Sequence, residues 1–215
     1  MATDQHFLNI YFTKLLNAIG RGAPATASDI FAIWEDFAPR EATPVLIKLI
    51  DEHMIVRYDN EIFYIPVILP TGEREPLSSL KALIRKYLKS SDDVFGFFCG
   101  LTQAYVLGLV EERPELFEIR STRQTIRRRL LNVGDIRCMI FRAKSDITPT
   151  TLPIYQIIEV VKVMPLPLSQ EQIDKLIALN ENKPLNRADV LRVSHDYRHG
   201  VFDLLLTAGI PITEA

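Results

Sequence analysis

The stretch from Ser28 to Pro66 constrains this chain most, because it orders two short helices and a two-stranded ribbon within about forty residues. Ser28 or Asp29 is placed to open a helix carrying Ile30, Ile33 and Trp34, and the run Phe37-Ala38-Pro39 breaks it. A second helix follows, with Val45, Leu46, Leu49 and Ile50 in the i, i+1, i+4, i+5 pattern of one buried face. Two β-like runs come next, residues 55–58 and 61–65, joined by the tight-turn pair Asp59-Asn60. Helix, turn, helix and hairpin in that order are the plan of a winged helix, a module that sets its second helix in a DNA groove.

Charge is distributed unevenly along the chain. The 215 residues carry a formal net charge of −2, which gives no overall sign of a nucleic-acid partner. Residues 1–66 hold nine acids and five bases, a balance of −4, whereas residues 113–144 hold nine bases and three acids, a balance of +6. Phosphate binding needs positive charge. The half patterned like a DNA-binding module is therefore the acidic half, and the basic stretch lies elsewhere.

A first helix is expected from about Gln5 to Ile19, closed at Gly20. Pro66, Pro70, Gly72 and Pro76 punctuate a segment without helical periodicity, which places a linker there and divides the chain into residues 1–70 and 76–215. Beyond it a helix over about 76–89 is expected to bury Leu77, Leu80, Ile84, Tyr87 and Leu88, with Lys81, Arg85 and Lys89 on its wet side. Gly100 and Gly108 bracket a short helix. Residues 115–121 read as a strand, and residues 124–131 and 136–142 flank the turn Asn132-Val133-Gly134-Asp135 as a hairpin, with a helix over 123–131 as the alternative. Residues 157–163 fit a buried strand or a buried helix. The last third reads as helical, with a capping box at Ser169 and Gln172, a cap at Asn186 and a stop at Gly200. The fold class is α+β, an N-terminal winged helix followed by mixed helices and a small sheet.

Two stretches together resemble the AbiEi-like antitoxins of type IV abortive-infection toxin–antitoxin systems and their winged-helix regulator relatives. The first is Val45 to Arg57 followed by Phe63-Tyr64-Ile65-Pro66, similar to that family's paired leucines, arginine and aromatic wing end. The second, Gly100-Leu101-Thr102-Gln103-Ala104-Tyr105-Val106-Leu107-Gly108-Leu109, is similar to its Gly-Leu-Thr-x-Ala-x-x-Leu-Gly-Leu element. The resemblance implies a winged helix that binds operator DNA and a C-terminal domain that neutralises a nucleotidyltransferase-like toxin. Lys48 matches the basic residue of the recognition helix and Arg57 the arginine entering the wing. Asn60 and Glu61 stand where the family carries a basic residue and glycine, and His53 replaces a common glycine.

Candidate DNA contacts are Arg40, Thr43, Lys48, Arg57 and Tyr58. The cluster Arg123, Arg127, Arg128 and Arg129 reads either as a solvated face or as a contact for nucleic acid or an acidic partner, since the guanidinium fork suits phosphates and carboxylates. His195 and His199 have helical spacing but lack the glutamate of a zinc protease motif, so no metal or other cofactor is expected. No nucleophile–base set stands out, which makes the chain a binding protein rather than an enzyme. Cys99 and Cys138 read as reduced core residues of a cytoplasmic protein, and no run is patterned as a membrane span. The competing reading is a protein-interaction adaptor whose winged helix does not touch DNA.

Overall fold

The computed structural model describes residues 2–35, 39–90, 93–197 and 200–214, with side chains except at 2–5 and 39–41. It is a mixed α+β chain that divides by internal contacts into Met1–Lys86 and Tyr87–Ala215. No helix among the described residues is long and apolar enough to cross a membrane.

The first unit runs α1 (Ala2–Ile19), β1 (Pro24–Thr26), α2 (Ala27–Ile33), α3 (Pro39–Asp51), β2 (Val56–Arg57), β3 (Ile62–Tyr64), β4 (Val67–Ile68), β5 (Arg74–Glu75) and α4 (Ser79–Tyr87), whose final residue belongs to the second unit. β2 and β3 form the expected antiparallel hairpin, and β1 adds to the far side of β3 in the order β1-β3-β2. The strand at 24–26 had no signal beyond Pro24 and two small residues; it exists because β3 offers it an edge. Leu8 and Leu15 of α1, Ile30 and Trp34 beside α2, Val45, Leu46 and Leu49 of α3, and Phe63 of β3 share one core. Trp34 is fully buried and its indole N–H donates to the Tyr11 carbonyl at 3.1 Å, which satisfies its polar edge.

The helix starts and ends show where local chemistry prevails. The cap of α2 is Thr26, not Ser28 or Asp29. Thr26 Oγ1 accepts from the Asp29 amide while the Asp29 carboxylate accepts from the Thr26 amide at 2.6 Å, a reciprocal box that leaves Ser28 no donor to cap. Asp29 also takes Arg85 of α4 as an ion-pair partner. Arg85 is therefore not on a wet face. Leu77 and Leu88, flanking α4, are buried as expected, but within α4 the buried residues are Ala82 and Leu83, while the expected Leu80, Ile84 and Tyr87 are only half-buried. Burial works to raise the Asp29 carboxyl, but the bonds from Thr26 and Arg85 hold it below its ordinary 3.8. The predicted break at Phe37-Ala38 lies outside the described residues.

Between β3 and α4, within the first unit, residues 66–76 are not featureless: β4 and β5 pair antiparallel around a turn at Gly72. The division by contacts falls later than that segment, because α4 is tied back by Arg85 to Asp29 and by Lys86 to Asp59 and Glu61 at 2.9 and 3.0 Å.

The second unit runs β6 (Gly96–Phe98), α5 (Gly100–Val106), β7 (Phe117–Ser121), β8 (Arg128–Val133), β9 (Ile136–Arg142), α6 (Leu152–Val161), α7 (Gln170–Ala178), β10 (Leu185–Asn186), α8 (Arg187–Ser194), α9 (Val201–Thr207) and β11 (Ile212–Thr213). Its sheet has the order β6-β7-β9-β8, with β7 and β9 parallel and the other neighbours antiparallel. The ambiguous run 157–163 is helix as far as Val161: α6 buries Ile154, Ile157, Ile158, Val160 and Val161 in one core with residues of α7, α8 and α9. The capping box at Ser169 and Gln172 and the cap at Asn186 form as expected. The end of α8 departs from the expected pattern. α8 stops at Ser194, so Leu191 is exposed and Tyr197 lies beyond the helix; Gly200, with φ 89, sits ahead of α9 instead of closing α8. Arg198 and His199 lie outside the described residues.

His53 closes α3 in the left-handed conformation at φ 58, where Met54 and Ile55 amides both return to the Leu49 carbonyl. A side chain there costs about 1 kcal/mol relative to glycine. His53→Gly is therefore expected to raise unfolding free energy by about 0.5–1 kcal/mol, read from the urea midpoint.

Candidate functional site

Two surfaces hold the residues singled out from the sequence. On the first unit, α3 buries Ala42, Val45, Leu46 and Leu49 and leaves Thr43, Pro44, Ile47, Lys48 and Asp51 exposed, and Glu52 just after it is exposed too. Thr43 and Lys48 thus share the outer face of α3 with two carboxylates. The backbone of Arg40 lies in α3, and its side chain lies outside the described set. Arg57 is exposed at the end of β2, where its Nε donates to the Asp59 carbonyl at 3.0 Å and its Nη2 to Asn60 Oδ1 at 3.0 Å. The guanidinium is braced against its own turn.

That turn is built on Asp59, whose Oδ1 accepts from the Glu61 and Ile62 amides at 2.8 and 2.9 Å while Oδ2 takes Lys86. Burial works to raise this carboxyl too, and the Glu61 amide, Lys86 and the Ile62 amide bring it below 3.8. Tyr58 is half-buried, and its hydroxyl meets Ser79 Oγ at 3.1 Å. It is tied to the start of α4 rather than held out from the hairpin.

On the second unit, the register Arg128↔Phe141↔Arg120 sets an arginine on each side of one aromatic ring, across β8, β9 and β7. Residues directly opposite in a sheet share a face. Arg129 pairs with Ile140 and so faces the other way, as the two-residue period requires. Arg127 precedes β8, and its carbonyl accepts from the Arg142 amide at 3.2 Å. Arg120, Arg127, Arg128, Phe141, Arg142 and Lys144 line a cavity of about 810 Å³ at this end of the sheet. Arg123 is not among its walls. It lies over the Phe95 ring, 3.4 Å from the centroid, in a cation–π contact.

The base of the cavity is anchored inward. Glu159 of α6 is only 2% exposed; it accepts from the Gly100 amide at 3.2 Å, meets Lys162 at 3.2 Å and faces Arg120 Nε at 3.8 Å. A buried carboxylate must be met by donors and cations, and all three are supplied here. Cys99 and Tyr197 lie beside the same group. Burial, then the charge of Glu159, pushes both the Cys99 thiol and the Tyr197 hydroxyl well above their ordinary values. Lys144 donates to the Asp196 carbonyl, and the Asp196 carboxylate accepts from Ser145 Oγ at 2.7 Å and Tyr155 at 2.6 Å.

The Gly-Leu-Thr-x-Ala element has a physical reading in the same place. Gly100 takes φ 52 to turn from β6 into α5, Thr102 Oγ1 accepts from the Glu118 amide at 2.9 Å, Ala104 is fully buried, and Gly108 takes φ 65 after the helix ends. Each position answers a backbone or packing demand, so the element fixes the fold around the cavity and does not line it.

Arg120, Phe141, Arg142 and Lys144 were not picked out individually from the sequence. The excess of bases in residues 113–144 was the available signal, but the register decides which of them converge. Glu159 could have been found as the lone carboxylate in an otherwise apolar run, since such residues are almost never fully buried unless paired. No family model matches the chain, and no curated protein matches it.

The neutral Cys99 and Tyr197 set the alkaline limit of this unit. Above their ordinary values of 9.0 and 10.0 the unfolded chain releases protons that the folded chain keeps. Stability is therefore full below about pH 9 and falls as pH rises further. Denaturant midpoints measured across that range should decline steadily in the native chain and more shallowly in Cys99→Ala and Tyr197→Phe.

Proposed function

We propose that the chain is an antitoxin-like transcriptional regulator, whose first unit is a winged helix docking on operator DNA and whose second unit binds a partner toxin. The observation that carries the reading is the order β1, α2, α3, β2, β3 with sheet order β1-β3-β2, in which a helix with one exposed face is followed by a hairpin whose first strand ends on Arg57. Thr43 and Lys48, exposed on α3, are the proposed phosphate or base contacts, and Arg57 the proposed contact to the flanking backbone. The resemblance to AbiEi-like antitoxins supports the same division of labour and supplies the class of partner, a nucleotidyltransferase-like protein. Binding, not catalysis, is the activity proposed for both units.

One observation favours the adaptor reading. Asp51 and Glu52 share the exposed face of α3 with Lys48, and Glu61 stands exposed at the hairpin turn. Such a surface repels a phosphate backbone unless the bases offset it.

The two readings separate in a gel-shift titration with the chain's own promoter region against random duplex. The regulator is expected to prefer the promoter and to lose it steeply with salt, and Lys48→Ala with Arg57→Ala should weaken binding about tenfold or more at low salt. Equal affinity for random duplex, or no binding in low salt, leaves the adaptor.

A further inference from the structure

The cavity at the end of the β6-β7-β9-β8 sheet is distinct from the α3 surface and asks for its own ligand. Arg127, Arg128 and Arg142 are exposed, and none has a side-chain ion pair or hydrogen bond among the described residues. Arg120 reaches the same cavity with Glu159 already beside it, and Lys144 spends one proton on the Asp196 carbonyl. Like charges drawn together repel, and the repulsion is relieved when an anion enters. The arginine fork matches phosphate oxygens two at a time, which suits a ligand carrying several phosphates along a line.

Phe141 narrows the class. It lies half-buried in the wall, with Arg128 and Arg120 directly opposite it on the two neighbouring strands. Strands are spaced about 4.8 Å apart, so this cation–ring–cation row spans roughly 10 Å. An aromatic face between cationic side chains is the arrangement that takes an unstacked base and its flanking phosphates. A duplex keeps its bases stacked away from such a ring, and a carboxylate-rich peptide would meet the arginines but leave the ring without a partner. A volume of about 810 Å³ is large enough to admit a base with its sugar and phosphate.

We propose that this cavity is a binding site for single-stranded nucleic acid, with Arg127, Arg128 and Arg142 holding phosphates and Phe141 stacking on a base. The site is independent of duplex docking by the first unit and stands whether or not α3 binds DNA.

Fluorescence anisotropy of the full-length chain with labelled oligouridine and oligothymidine of about twelve nucleotides tests it. Binding is expected at low salt, with a log–log salt slope of about −2, for roughly three phosphates neutralised. Arg128→Gln with Arg142→Gln should weaken it about tenfold or more, Phe141→Leu about fivefold, and Phe141→Tyr should retain it because the ring remains. Circular dichroism checks that each variant keeps its fold. Lys48→Ala with Arg57→Ala should leave this binding unchanged, which separates its fate from that of the operator-binding reading.

Four results would overturn the proposal. They are no binding of either oligonucleotide at low salt, affinity unaffected by the arginine pair, equal affinity for a glutamate-rich peptide of the same length, or a Phe141→Leu variant that folds and binds as the native chain does.

Discussion

Glu159 is the interaction on which the second unit turns. A carboxylate 2% exposed in the last turn of α6 has to be neutralised by what packs against it, and that demand selects its neighbours. It draws the first amide of α5, the ammonium of Lys162 and the guanidinium of Arg120 toward one point. Three elements that share little sequence are thereby fixed together. Burial, and then the same charge, pushes the Cys99 thiol and the Tyr197 hydroxyl upward, and that charge faces Arg120 at the base of a cavity whose other cations are exposed. Core electrostatics and surface charge are parts of one arrangement there.

The first unit is held by analogous pairs on a smaller scale. Asp29 serves both the cap of α2 and Arg85 of α4, and Asp59 serves both the hairpin turn and Lys86. Each carboxylate joins a local backbone requirement to a distant helix, which is why α4 groups with residues before it and not with those after. The exposed side of α3 is left with mixed charge, so any partner there reads a pattern of Lys48, Asp51 and Glu52 rather than a uniform basic stripe.

How much of this was legible depended on whether the determinant was local. The hairpin at Asp59-Asn60 and the capping box at Ser169 are set by a few adjacent residues and were read directly. The hairpin before Ile136 was read too, but its turn is Gly134-Asp135, with Asn132 and Val133, expected in the turn, paired in β8. The strand Pro24–Thr26 was not, because it is recruited by β3 and carries no pattern of its own. Arg85 was misplaced because helical period assigns a face but cannot know that Asp29 waits across it. The arginine cluster was visible as composition, yet its division was not: pairing register sends Arg128 to the cavity and Arg129 to the other face, and the Phe95 ring holds Arg123 apart. Family-like motifs carried fold information of the same local kind, in the φ angles of Gly100 and Gly108.

The central claim is that the chain carries two separate nucleic-acid surfaces, one on α3 with its hairpin and one at the arginine-lined end of the second sheet. Amide hydrogen exchange followed by mass spectrometry, on the full chain with promoter duplex or with single-stranded oligonucleotide, tests it most directly. The account predicts that duplex slows exchange within residues 43–62 and that the single strand slows it within residues 120–144, each leaving the other segment unchanged. Protection of the same segment by both ligands, or of neither segment by either, would contradict it.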